Sequence, residues 1–191
     1  MNERALSKKF AQVFDSYQDD TSDSKAIHQS KSAFIRIDLG RQILELHDGA
    51  GEVQRTWPVS TAINGAGERE GSECTPRGRH IIHARVGEGA EIGTVFVGRR
   101  PTGEIYSREL ARQYPNRDWI LTRILWLAGT EPGRNLHKEV DTERRYIYIH
   151  GCPDEVNIGV PGSHGCIRMH NRAIVDLFDR VRVGTRVLIE E

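Results

Sequence analysis

From Ala33 onward the chain is divided into short alternating segments, and this pattern restricts the possible fold more than any other feature. Ala33–Leu39 (AFIRIDL) and Gln42–Asp48 (QILELHD) place apolar side chains at every second position, with Gly40-Arg41 as the turn between them. Asp48-Gly49 marks a further turn before VQRTWPVS, and a Gly/Glu-rich loop (NGAGEREGSECTPRG) separates that strand from RHIIHARV. TVFVGRR follows a second glycine-rich loop; WILTRILWLAG reads as a buried strand or strand pair, and RRYIYIHG as a strand ending at His150. Pro101 to Asp118 is polar and irregular, and its Pro101–Arg117 portion is either a lid or a packed insertion. Ala173, Ile174, Leu177, Phe178 and Val181 make one helical face, with Asn171 as N-cap and Gly184 as stop, before a last strand, TRVLIEE. Many short strands, glycine-rich turns and one C-terminal helix predict a mostly β sandwich or barrel.

Ahead of this domain (33–191) lies an extension, 1–32. Leu6, Phe10, Val13, Phe14 and Tyr17 fall on one helical stripe, which either packs on the domain or makes a partner or homodimer contact, and a polar linker follows it. Lys plus Arg and Asp plus Glu each number 27, so the net charge is zero and no basic excess speaks for nucleic acid. No apolar run approaches the roughly 20 residues of a spanning helix. Three cysteines without a Cys-x-x-Cys pair make a poor disulfide framework. The first residues show no apolar stretch of secretory type, so the expectation is a cytoplasmic protein, or a periplasmic one if a native leader precedes this chain.

Several chemical signals fail on spacing. Gly65-Ala66-Gly67 lacks the third glycine of a dinucleotide fingerprint, and there is no phosphate loop. His80 and His83, three apart in a strand, point to opposite faces and do not share a metal. The segment HGCPDEVNIGVPGSHGCIRM, from His150 to Met169, is different because His-Gly-Cys occurs in it twice. One reading makes His150, Cys152, His164 and Cys166 a tetrahedral zinc set in a non-catalytic module. The other makes one cysteine a nucleophile and a histidine 16 positions upstream its base, with the amides of Gly165 and Cys166 available to an oxyanion.

The residues Ser163-His164-Gly165-Cys166-Ile167-Arg168, preceded by His150-Gly151, resemble the signature of L,D-transpeptidases of the YkuD type. WPVSTA with TPRG, and the closing HNRAIVDLFDRVRVGTRVLI, extend the resemblance over roughly 33–190. It implies an L,D-transpeptidase-like β-sandwich, needing no cofactor or metal, that acts on peptidoglycan stem peptides. Cys166 would attack a diaminopimelate carbonyl and hold a thioester, with His150 as general base and the Gly151 carbonyl orienting the ring. Gly165 and Cys166 would form the oxyanion hole, and Ser163 and His164 would shape the pocket. Arg168 stands where asparagine is commoner, and either grips a stem-peptide carboxylate or forms a structural ion pair. Arg123 and Arg144 are further carboxylate candidates. Cys152, at a position commonly Thr or Ser, is either a passive small residue or a redox partner of Cys166. Arg77 replaces a threonine of the family's Thr-Pro-Thr-Gly loop. The resemblance also implies acylation of Cys166 by carbapenems.

A cytoplasmic enzyme of this kind meets muropeptide fragments rather than a wall under construction. Water is then the expected acceptor, which makes the chain an L,D-carboxypeptidase of cell-wall recycling. Cross-linking or D-amino-acid exchange is the alternative.

Overall fold

The computed structural model describes residues 32–191. The amphipathic helix, nearly all of the linker and the dimer contact expected of 1–32 lie outside the described residues. Ten strands form, β1 (Phe34–Asp38), β2 (Ile43–His47), β3 (Val53–Pro58), β4 (Gly78–Val86), β5 (Thr94–Val97), β6 (Arg100–Ile105), β7 (Ile120–Gly129), β8 (Tyr148–Cys152), β9 (Ile167–His170) and β10 (Arg186–Glu190). Two α-helices, α1 (Arg108–Gln113) and α2 (Asn171–Arg180), and a 3-10 turn at Lys138–Val140 complete the described elements.

The strands make one curled, branched sheet in the order β3-β2-β1-β10-β4-β7-β5-β6, with β8 and β9 leaving the path at β7. The alternation seen in the sequence sets the faces: Ile35, Ile37 and Leu44 are fully buried and Leu46 nearly so, while the residues between them are half-buried. Burying each such side chain contributes about 1.5–3 kcal/mol. WILTRILWLAG is one strand, not two. β7 pairs with β4 along Ile124–Gly129, with β5 at Ile120 and Leu121, and with β8 from Leu121 to Trp126. A register shift between Leu121 and Ile124 coincides with Thr122 in the left-handed region (φ 70°), a bulge that bends β7 beside the functional residues.

Helix α2 buries Ile174, Leu177 and Phe178 against the sheet, as its spacing predicts. Its cap differs from expectation. His170 occupies the N-cap position and Asn171 lies inside the helix, because the Asn171 side chain is drawn away to Thr122 Oγ1 and to Asp154. The supposedly irregular Pro101–Asp118 stretch contains β6 and α1, with the Ser107 hydroxyl accepting the Leu110 N–H at 3.1 Å. Tyr106, Leu110 and Ala111 pack on Val95, Trp119 and Leu121, so the segment is a packed insertion rather than an open lid. Its few apolar residues are too far apart in sequence to show a period.

Candidate active site

β8 and β9 run parallel, with His150 opposite Arg168 and Gly151 opposite Met169. Cys166 immediately precedes β9. By the two-residue period of a strand it shares the face of Arg168, and therefore that of His150. Tyr148 N–H donates to Cys166 Sγ at 3.3 Å, and the thiol points at the Tyr146 carbonyl at 3.5 Å. The same two charges, Asp118 and Arg168, act on both the imidazole and the thiol. The sheet thus brings together two residues that are 16 positions apart in the chain.

The His150 ring is completely buried. Its Nδ1 lies 2.8 Å from the Gly151 carbonyl, and since a carbonyl only accepts, Nδ1 carries the proton. Nε2 is therefore a lone pair, and it is buried without a hydrogen-bond partner. Such an atom costs about 1–3 kcal/mol unless something else requires it. Burial lowers the ring's pKa from its ordinary value, outweighing the Gly151 bond, and keeps the imidazole neutral. Burial likewise pushes the Cys166 thiol up to about 12. The pair is at rest as thiol and free base, and the sulfur must turn from Tyr146 to meet Nε2.

Gly151 is glycine for steric reasons: an added Cβ would sit 2.6 Å from the Leu121 carbonyl and 2.8 Å from Asn171 Oδ1. Gly165 has φ +127°, and a Cβ there would meet Ile147 at 3.1 Å and the Cys74 carbonyl at 3.3 Å. The two amides expected to bind an oxyanion are not equivalent. Gly165 N–H donates to the Ser163 hydroxyl at 3.2 Å, so that donor is engaged, while the hydroxyl itself donates to the Cys166 carbonyl at 2.5 Å. The Gly165–Cys166 peptide is held by Thr75, whose hydroxyl donates to the Gly165 carbonyl at 2.9 Å. In a planar trans peptide this turns the Cys166 N–H away from Thr75. Thr75 is fully buried and also accepts the Ala62 N–H at 3.0 Å. Sequence reading noted TPRG but gave Thr75 no part, because its partner lies 90 residues away.

Of the two alternatives for Arg168, the structure shows the ion pair: one nitrogen donates to the Gly162 carbonyl at 2.8 Å and another to Asp118 at 2.7 Å. Arg123 is buried, with Nη1 on the carbonyls of Ala90 and Thr122, and Arg144 is exposed. Ser163 is buried and organises the turn before Cys166, whereas His164 is exposed. Arg77 pairs with Glu68 and Glu191. All three cysteines are free. Cys152 faces His170 on β9 and donates to the Met169 carbonyl at 3.3 Å. Four ladder positions, about 13 Å at 3.3 Å each, separate it from the Cys166 end, which excludes the redox-partner reading. Among the described residues no three His, Cys, Asp or Glu side chains converge as a metal-ligand set, which removes the support for the zinc module. Nor is any described helix long and apolar enough to cross a membrane. Sequence reading also missed Arg145, whose guanidinium binds the carbonyls of Gly67, Glu68 and Cys74 and so ties the Gly65–Thr75 loop beneath the cysteine.

The fold and the cysteine–histidine face are those of one protein class. A family model for the YkuD L,D-transpeptidase catalytic domain matches residues 32–189, and the chain belongs to that family. Among relatives, the Bacillus subtilis protein named for an L,D-transpeptidase, YqjB, is 50% identical over 50 residues, 26% of this chain and 28% of its own length. The Escherichia coli protein YbiS, named likewise, is 49% identical over 43 residues, covering 22% of this chain and 14% of its own. The matched segments thus span less than a third of these relatives. A crystal structure of L,D-transpeptidase 3 from Mycobacterium tuberculosis with a faropenem-derived adduct superposes with a TM-score of 0.51 at 15% identity. That likeness covers 84% of this chain and 60% of the other, and concerns the fold alone.

Proposed function

We propose that the protein is a cysteine acyl transferase that opens the L,D bond of peptidoglycan stem tetrapeptides, with water as the final acceptor. The observation that carries the cysteine chemistry is His150 Nε2, a buried lone pair without a partner on the face that Cys166 shares. On substrate binding the Cys166 proton passes to Nε2, and sulfur adds to the carbonyl carbon of the residue before the terminal D-alanine. The carbonyl oxygen becomes an oxyanion beside the Cys166 N–H. As the C–N bond breaks, the protonated imidazole returns its proton to the departing amine, leaving a thioester. Water then loses a proton to His150 and adds to the thioester, and sulfur leaves to recover that proton.

Membership of the family supports peptidoglycan peptides as substrates. Water as acceptor and cytoplasmic recycling form the narrower part of the proposal. Mass spectrometry on a free muropeptide tetrapeptide, with Cys166→Ala as control and a D-amino acid added in parallel, tests both parts. Cys166-dependent loss of one D-alanine to give the tripeptide is expected. Exchange products or cross-linked dimers would replace water by an amine acceptor, and recovery of the native protein from the periplasm would overturn the recycling role. A carbapenem should add its mass to the wild-type protein and not to Cys166→Ala.

A further inference from the structure

The arginines that sequence reading favoured for a carboxylate contact make protein contacts or stand exposed, and another arginine touches the side chains of the two residues whose backbones meet the candidate nucleophile. Val97 pairs with Arg100 across the β5–β6 hairpin, so Gly98-Arg99 is a two-residue turn. Both turn residues are left-handed, with φ 54° and 67°. Asn and Gly suit such a turn, and an arginine at its second position is strained. The Arg99 guanidinium carbon lies 4.3 Å from the centroid of Trp126 and 5.0 Å from that of Tyr146, and Nη1 donates to the Tyr148 hydroxyl at 2.8 Å. No carboxylate among the described residues forms an ion pair with it.

The residues that carry these rings also lie next to the thiol. Cys166 and Trp126 both pack against the buried cluster of Phe96, Ile124 and Tyr148. Tyr146 and Tyr148 supply the carbonyl and the N–H that touch its sulfur. Two residues therefore hold the sulfur with their backbones and the guanidinium with their side chains. A guanidinium carries five N–H donors, and among the described residues only Nη1 of this one makes a hydrogen bond, so donors remain for a ligand.

We propose that Arg99 is a carboxylate anchor at the acyl-donor site, a specificity-determining residue that holds a peptide carboxylate close to the scissile carbonyl. Its substrate rests on the acyl-transfer reading above, but its chemistry does not. Two carboxylates of the donor fit: that of the departing terminal residue and the free one on the diaminopimelate side chain.

The test separates the anchor from the function. Rates of Cys166 alkylation by iodoacetate and by iodoacetamide, read on the Cys166 peptide by mass spectrometry, give a ratio that cancels changes in thiol reactivity. Arg99→Gly and Arg99→Asn relieve the left-handed turn, which offsets the loss of the Tyr148 hydrogen bond, and both are expected to stay folded with a melting temperature close to wild type. The iodoacetate preference should fall about tenfold in both, the loss of one charge-assisted hydrogen bond, and be largely kept in Arg99→Lys. An unchanged ratio in the folded variants overturns the proposal. With tetrapeptides, Arg99→Asn should raise KM about tenfold with kcat held. If that penalty vanishes for the C-terminal amide, the ligand is the departing residue's carboxylate. If it vanishes for a donor with amidated diaminopimelate, the ligand is the side-chain one. An equal penalty on the acid and both amides overturns the anchor. No turnover of any peptide, with the alkylation ratio still dependent on Arg99, would remove the proposed function and leave the anchor standing.

Discussion

Two buried histidines, one on β4 and one on β8, show how alike two imidazoles can be until the second ring nitrogen is considered. His80 on β4 and His150 on β8 are both almost inaccessible, and both donate Nδ1–H to a backbone carbonyl, of Gly78 at 3.0 Å and of Gly151 at 2.8 Å. They part at the second nitrogen. His80 Nε2 accepts from the buried Thr142 hydroxyl at 3.1 Å, whereas His150 Nε2 has no partner. Burial holds both rings neutral, so ionisation does not distinguish them. A histidine with both nitrogens satisfied joins two pieces of the fold. One kept with a bare lone pair carries a cost that stability does not explain, and the proposed general-base role supplies a reason for it.

The sharpest way to break this comparison is to exchange the effects of the two residues. His150→Gln should lower kcat on tetrapeptide by about 10²–10⁴-fold, the usual worth of a general base, with an unfolding free energy within about 1 kcal/mol of wild type. His80→Leu should do the reverse. It strands the Thr142 hydroxyl and the Gly78 carbonyl, and should cost about 2–4 kcal/mol in urea unfolding with kcat almost unchanged. A large fall in kcat for His80→Leu would undo the distinction.

Proton linkage sharpens the same contrast. His80 drops to about 4 in the fold from an ordinary 6.5, so between those values the unfolded chain binds a proton that the folded chain refuses. Stability must then fall as pH drops through this window, by roughly 3 kcal/mol when fully developed, and His80→Gln should flatten much of the slope. His150 adds to the slope with the same sign, since burial lowers its pKa too. Denaturant melts at a series of pH values would measure both. The smallest effect expected is at Thr75. Thr75→Val removes the hydroxyl that fixes the Gly165 peptide and should lower kcat about tenfold, less than deletion of an oxyanion donor, while Thr75→Ser stays near wild type. Steady-state kinetics on the pair would show whether the hydroxyl or the methyl group matters.

Much of this molecule was legible before any coordinates. Alternation marked β1 and β2 because a half-buried strand repeats every second residue, and helical spacing marked α2. The His150 and Cys166 pairing was legible through the density of its His-Gly-Cys repeats and through a family resemblance. Arg168 was legible as a residue of interest but not in its role, since nothing local links it to Asp118, 50 positions away. Asn171 misled as a cap because its hydrogen-bonding partner is Thr122 rather than its own helix. β6 and α1 were hidden because their apolar contacts are few and are completed by Val95, Trp119 and Leu121 from other elements.

The sequence by itself determined the strand texture and the closing helix, and it singled out Cys166 and His150 as the candidate thiol and imidazole, because periodicity and residue chemistry are local properties of the chain. Only the tertiary structure decided which atoms remain available. It engaged Arg168 and the Gly165 amide, set Thr75 behind the Cys166 peptide, left His150 Nε2 bare, and brought Arg99 over the rings beside Cys166. Each of these is settled by a partner distant in sequence, and a hydrogen bond or ring contact exists only once folding has closed that distance.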